Sequence, residues 1–204
     1  MGQQMAANAG DDLRPKHGDA LIIVDVQNDF LPGGSLAVPQ GDEVLPVLNE
    51  YVRLFMSRGL PVIASRDWHP ADHCSFRARG GPWPPHCVAG TLGAEFPSGL
   101  RLVAPVSVIS KATARDEDAY SAFAHTDLSN RLRQAGCKRL FVGGLATDYC
   151  VLNTVRDAIA NGFAAVLLRD AVRAVNVRPD DGEKAVAEML ALGARIVGLD
   201  ELSP

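Results

Sequence analysis

The sequence predicts an α/β fold, a doubly wound, three-layer α/β/α arrangement around a six-stranded, mostly parallel sheet, and three features point to it. The run Ala20-Leu-Ile-Ile-Val-Asp25-Val is continuously apolar until Asp25, the pattern of a central strand covered on both faces. Runs of this kind alternate with stretches of helical period, which selects parallel strands joined by helical crossovers. The chain has 204 residues, 47% hydrophobic and 22% charged, enough to bury one sizeable core, and a single domain over residues 19–204 is expected.

After the first strand, Gln27 to Gln40 is turn-rich, with Pro32, Gly33, Gly34 and Pro39. Asp42 to Arg58 then carries Val44, Leu45, Val47, Leu48, Tyr51, Val52 and Phe55 at helical spacing, and Gly59 closes the helix. Leu60 to Ser65 reads as the second strand and delivers Arg66-Asp67-Trp68-His69 at its exit. Pro70 to Gly99 is a long loop without periodicity, and loops that long inside a compact domain are usually functional or disordered; Phe76, Trp83 and Phe96 argue for order. Val106 to Ser110 is a third strand ending at Lys111, and Ala112 to His125 reads as a lid or loop. A helix over Thr126 to Gln134, a strand over Lys138 to Gly143 and a helix over Asp148 to Asn161 follow. Phe163 to Leu168 is the fifth strand, Pro179 to Leu192 the last helix, with Pro179 suited to its first turn, and Ala194 to Leu199 the sixth strand.

In doubly wound sheets ligands bind at the carboxyl ends of the strands, where the strand order reverses. Asp25, Asp67 with His69, Lys111 and Cys150 stand at the carboxyl ends of the first four strands in turn. With the strand order 3-2-1-4-5-6, the first and fourth strands flank the crevice and Asp25 faces Cys150 across it.

Asp25, Lys111 and Cys150 suit nucleophilic acyl transfer. A cysteine needs a base for its proton and an acid for the leaving amine, and one carboxylate serves both steps. The lysine would keep that carboxylate ionised. Cys150 at the start of a helix would feel the positive end of the helix dipole, which favours the thiolate, and N–H groups of that turn could receive an oxyanion. The plainer alternatives are a structural Asp–Lys ion pair and a buried structural cysteine.

Asp67-x-His69 and Pro84-Pro85-His86 read as a metal site of two imidazoles and one carboxylate, suited to Zn²⁺, Fe²⁺ or Mn²⁺, with His73 a possible fourth group. A structural zinc site from His73, Cys74, His86 and Cys87 competes with it, although adjacent His-Cys pairs do not match the usual spaced knuckles. Surface histidines without a metal are a third option. Phe30, Trp83 and Tyr120 lie in the loops after these strands and could sandwich a flat ring or simply anchor those loops.

The net charge of −4 and the scattered Lys and Arg residues speak against nucleic acid as a partner. No apolar run reaches the length of a membrane span. Residues 1–18 are polar or small, unlike a secretory signal, and read as a flexible N-terminal extension. The four cysteines show no CxxC spacing, which favours reduced thiols and a cytoplasmic location. Nothing selects between a monomer and a homo-oligomer.

The segments Asp25-Val-Gln-Asn-Asp-Phe30, Gly33-Gly-Ser-Leu-Ala-Val38, Asp67-Trp-His-Pro-Ala-Asp-His73, Trp83-Pro-Pro-His-Cys-Val88 and Gly144-Leu-Ala-Thr-Asp-Tyr-Cys150, together with Lys111, strongly resemble the nicotinamidases, also called pyrazinamidases, of the isochorismatase-like hydrolases. The match runs from Ala20 to Leu199. The resemblance implies deamidation of nicotinamide to nicotinate and ammonia in NAD salvage, with pyrazinamide a further substrate. It implies Cys150 as nucleophile, Asp25 as proton carrier and Lys111 as its partner, and one divalent ion held by Asp67, His69 and His86, with His73 less firmly assigned. It further implies ring stacking by Phe30 and Trp83, Tyr120 near the entrance, and a cis Leu145–Ala146 peptide that aims the N–H of Ala146, with that of Cys150, at the oxyanion.

Overall fold

A computed structural model of the protein describes residues 12–103 and 105–202. Its sheet contains β1 (Asp19–Val24), β2 (Val62–Asp67), β3 (Val106–Lys111), β4 (Arg139–Leu145), β5 (Ala164–Arg173) and β6 (Arg195–Val197) in the order β3-β2-β1-β4-β5-β6. Every pairing between neighbouring strands is parallel. Helices α1 (Val44–Ser57), α2 (Leu128–Gln134), α3 (Leu152–Ala160) and α4 (Asp181–Ala191) fill four of the five crossovers, and the connection from β2 to β3 is the long loop with two 3₁₀ turns.

The unbroken apolar run of β1 follows from its place at the centre of the sheet. Leu21 and Ile23 point into one core with Leu48, Tyr51 and Phe55 of α1, whereas Ile22 and Val24 point into the other with Leu128, Leu132, Val155 and Met189 of α2, α3 and α4. Strand side chains alternate between faces, so covering both faces demands apolar residues at every position. Among the described residues no helix is long and apolar enough to cross a membrane.

The element boundaries shift in ways that matter for the rim. A 3₁₀ turn over Gly41–Glu43 precedes α1, and β2 runs on to Asp67, so that Asp67 and Lys111 become register partners at the ends of β2 and β3. β5 continues past the polar Arg169-Asp170 pair because the ladder resumes at Gly144↔Val172 and Leu145↔Arg173 after a register shift in β4. The helix expected from Asp148 begins instead as a π-helical turn over Thr147–Val151, and α3 proper starts at Leu152.

Of the extension expected over residues 1–18, residues 1–11 lie outside the described residues. Over the remainder, Arg139 donates to the carbonyl oxygens of Asp12 and Arg14, and Arg58 to that of Pro15. Arg139 also makes a bidentate pair with Asp19, at 2.9 and 2.7 Å, where β1 and β4 begin side by side. Both groups are buried, so removing one strands a charge. Arg139→Met is therefore expected to cost about 3 to 5 kcal/mol in urea unfolding, and adding Asp19→Leu should recover much of it.

Candidate active site

The rim is built where β1 leaves the sheet. Asp25 sits just past the strand in the left-handed region, φ 49°, and its N–H still donates to the Ser65 carbonyl. Gly144 of β4 lets the neighbouring backbone come this close: at φ 124°, a Cβ there would lie 2.1 Å from the Val24 carbonyl oxygen. The fully buried Asp25 carboxylate accepts a hydrogen bond from the Ser65 hydroxyl at 2.7 Å through Oδ1. Its Oδ2 lies 2.9 Å from Lys111 Nζ, outside hydrogen-bonding alignment.

Lys111 arrives from the end of β3. Its ammonium donates to Asp67 Oδ1 at 2.5 Å and to the Ala119 carbonyl at 2.9 Å, and lies 3.6 Å from Cys150 Sγ. Burial alone would lower the Lys111 pKa, but Asp25 and Asp67 overcome it and hold the amine well above its ordinary value. Burial pushes the Asp25 carboxyl up to about 6, with Lys111 pulling against that rise and Asp67 adding to it. A carboxyl tuned toward neutrality is well matched to moving a proton at neutral pH.

Cys150 comes from the π turn that follows β4, in which the N–H of Val151 donates to the Ala146 carbonyl. Turns of this width are frequent at functional sites. The expectation of a thiolate favoured by the helix dipole needs correction. Burial pushes the thiol well above its ordinary pKa; Lys111 opposes this, and Asp25 and Asp67 reinforce it. A helix terminus contributes about 0.3 to 1 kcal/mol, whereas full burial moves a pKa by as much as 3 to 5 units at about 1.4 kcal/mol each. Cys150 therefore rests as a thiol, with a carboxylate oxygen of Asp25 within 4.8 Å of its sulfur.

Asp67, His69 and His86 each bring one donor atom within 4.8 Å of the others. An isolated parallel bridge, His69 to Val88, holds the two histidine segments together, and Asp29 Oδ2 accepts the Cys87 N–H at 2.7 Å beside His86. His86 Nδ1 contacts the Pro84 carbonyl at 2.8 Å and His69 Nδ1 the Ala112 carbonyl at 3.3 Å, which in the neutral tautomers leaves both Nε2 atoms with free lone pairs. His69 Nε2 is buried without a hydrogen-bond partner, 3.7 Å from Asp67 Oδ2. Burial, with His86 and His73 adding to it, lowers the His69 pKa to about 3 and keeps the ring neutral. An orphaned neutral imidazole nitrogen facing a second imidazole and a carboxylate fits a divalent ion such as Zn²⁺.

Asp25, Asp67 and Cys150 form a second cluster of the same compactness, but the Lys111 ammonium already lies against all three. A cation there would meet a fixed positive charge at contact distance, so the two-histidine cluster is the better site. His73 does not join it: Nδ1 meets Ser75 Oγ at 2.8 Å and Nε2 the Glu117 carbonyl at 3.0 Å, while the ring stacks on His69 at 4.3 Å. The alternative zinc site from His73, Cys74, His86 and Cys87 does not assemble among the described residues.

Cys150 of the one cluster and Asp67, His69 and His86 of the other face one cavity of about 480 Å³, mouth included, which Phe30, Trp83, Tyr120, Tyr149 and Ala146 also line. Trp83 Nε1 donates to the Tyr120 hydroxyl at 3.0 Å, and the Tyr149 ring meets Trp83 edge-on at 5.1 Å. The Leu145–Ala146 peptide is cis.

The isochorismatase domain family matches residues 19–201. The chain belongs to the isochorismatase family. A nicotinamidase from Escherichia coli is 41% identical over 201 residues, covering 88% of this chain and 94% of that protein. Among solved structures, the pyrazinamidase of Pyrococcus horikoshii in complex with zinc is 50% identical, with a TM-score of 0.86 over 89% of this chain and 99% of that one. PnC1 from L. infantum in complex with nicotinate is 39% identical, also at a TM-score of 0.86, over 93% and 97% of the two chains.

Within this isochorismatase-family site, the expected residues Asp25, Lys111, Cys150, Asp67, His69 and His86 meet, and Phe30, Trp83, Tyr120 and Ala146 line the same cavity. Sequence reasoning passed over Tyr149, although it adjoins Cys150 in the turn. It also passed over Gln27, Asp29 and Ser65, whose partners lie far along the chain, without any periodic signal.

His69→Ala or His86→Ala should weaken zinc binding by more than about 100-fold, measured by competition with a chelator, whereas His73→Ala should fall within the about 10- to 100-fold range of groups one step removed from the ion.

Proposed function

We propose that the protein is a nicotinamidase, a metal-dependent cysteine amidohydrolase that converts nicotinamide to nicotinate and ammonia and accepts pyrazinamide as a close analogue. The observation that carries this reading is that a thiol, backed by a carboxylate and an ammonium, and a donor trio for a metal face one aromatic-lined cavity. The activities named for the E. coli and P. horikoshii relatives, and the nicotinate held in the L. infantum structure, support it.

In this reading Asp25 takes the proton of Cys150 as the sulfur adds to the carboxamide carbon. The tetrahedral oxygen is received by the backbone N–H groups of Ala146 and Cys150. Asp25 then hands its proton to the departing ammonia, leaving a thioester. Asp25 next deprotonates a water that adds to the thioester carbon, and the sulfur leaves with that proton as nicotinate is released. Lys111 stays charged throughout, holding Asp25 in place and limiting the cost of its buried charge. Asp67, His69 and His86 would hold a divalent ion, which when bound would supply a Lewis acid toward a ring nitrogen, and Phe30 and Trp83 flank the ring, which Tyr120 closes off from the entrance. The four cysteines are unpaired, which supports a cytoplasmic location.

Cys150→Ala is expected to abolish ammonia release from nicotinamide while leaving zinc content unchanged, and Asp25→Asn to lower kcat by about 10² to 10⁴-fold. Ammonia release that persists in the Cys150 variant would refute the nucleophile.

A further inference from the structure

We infer that Gln27 is a positioning residue whose side-chain amide replaces a missing rung of the sheet and so fixes the Asp67 carboxylate between Lys111 and the two imidazoles. The part of this that concerns the ion rests on the functional reading above; the part that concerns Asp67 rests on the sheet alone.

β1 and β2 pair with Ile23 opposite Ala64, and the N–H of Asp25 still donates to the Ser65 carbonyl. In a regular parallel ladder the next two bonds would run from the Asp67 N–H to the Asp25 carbonyl and from the Gln27 N–H to the Asp67 carbonyl. Neither forms, because Asp25 turns into the left-handed region and its carbonyl accepts the N–H of Gln27 instead, at 3.0 Å. That turn carries the Asp25 carboxylate to Lys111 and leaves the last residue of β2 without its backbone partner. The Gln27 side chain fills both places. Its Oε1 accepts the Asp67 N–H and its Nε2 donates to the Asp67 carbonyl, each at 2.8 Å. The second hydrogen on Nε2 goes to the Ala94 carbonyl, also at 2.8 Å, on the long loop that carries His86. The amide orientation is fixed by these partners, since a flipped group would set N–H against N–H and an oxygen against two carbonyls.

Gln27 is fully buried, so no water substitutes for these bonds if they are lost. They hold the backbone of the one residue whose carboxylate serves both clusters, Oδ1 toward Lys111 at 2.5 Å and Oδ2 toward His69 Nε2 at 3.7 Å. Only glutamine has both the reach and the donor–acceptor pair. Glutamate keeps the acceptor, loses the donors and adds a third carboxylate beside Asp25 and Asp67. Methionine keeps the shape and loses every bond.

The test measures zinc affinity by chelator competition and melting temperature for the full-chain protein, Gln27→Glu and Gln27→Met, together with hydrogen exchange of the Asp67 amide in the wild type. Zinc affinity is expected to fall about 10- to 100-fold in either folded variant, as for other groups that orient a ligand. The Asp67 amide should be protected as well as those of Ile63 and Ala64 within β2. Melting that falls while zinc affinity stays within about 3-fold of wild type would reduce Gln27 to a structural filler and overturn the inference. Should neither variant fold, exchange decides, and a rapidly exchanging Asp67 amide overturns it. A zinc-loaded wild type inert toward nicotinamide, alongside variants with weakened zinc, would reject the functional reading and leave the role of Gln27 standing.

Discussion

One buried ammonium holds this site together. Lys111 lies 2.9 Å from Asp25 and 2.5 Å from Asp67, and all three side chains are buried. Two carboxylates at this depth could not both stay ionised without it, because an unpaired buried charge costs several kcal/mol even after relaxation. One cation between two anions still leaves a surplus negative charge. Of the two carboxylates, Asp67 also turns its second oxygen toward the paired imidazoles, 3.7 Å from His69 Nε2, and a divalent cation placed there would be attracted by it. The same ammonium that lies against Asp25 and Cys150 thus leaves a place for a metal next door.

The sheet makes this arrangement possible. In the order β3-β2-β1-β4-β5-β6, the four strand ends that carry Lys111, Asp67, Asp25 and the Cys150 turn are adjacent, so residues more than a hundred positions apart converge without a long unsupported loop. The remaining requirement is local irregularity. Asp25, Cys87 and Ala112 all have positive φ, Gly144 admits a close backbone approach, and the turn into α3 is π-helical. These departures sit at the rim and not in the core, as expected where regular structure is given up to aim side chains. Two of them are offset by bonds from neighbours, Asp25 by Ser65 and Cys87 by Asp29, and Gln27 does the same for the end of β2.

Much of this was legible in the sequence because sheet burial writes itself into composition. The apolar run ending at Asp25 marks a central strand, and the ends of the first four strands, taken as one rim, gather Asp25, Asp67, His69, Lys111 and Cys150 from the sequence alone. His86 was legible through the Pro-Pro-His segment, although its path through the long loop was not. What stayed hidden has a common physical form. Gln27, Ser65 and Asp29 are polar residues each bonded to a partner 40 or more positions away, and nothing in local pattern distinguishes such a residue from a solvated one. The dipole argument for a Cys150 thiolate failed for a related reason, since burial depends on the whole fold and outweighs the local field. His73 lies close to Asp67 and His69 in sequence, yet its ring nitrogens are spent on Ser75 and Glu117.

The central claim is that Lys111 reserves one acidic cluster for the thiol and leaves the other for the ion. Anomalous diffraction at the zinc edge from crystals of the zinc-loaded full chain tests it most directly. The account predicts a single site bonded by Asp67, His69 and His86 at about 2.0 to 2.2 Å, with Lys111 still seated between Asp25 and Asp67. Zinc found among Asp25, Asp67 and Cys150, with the lysine displaced, would contradict it.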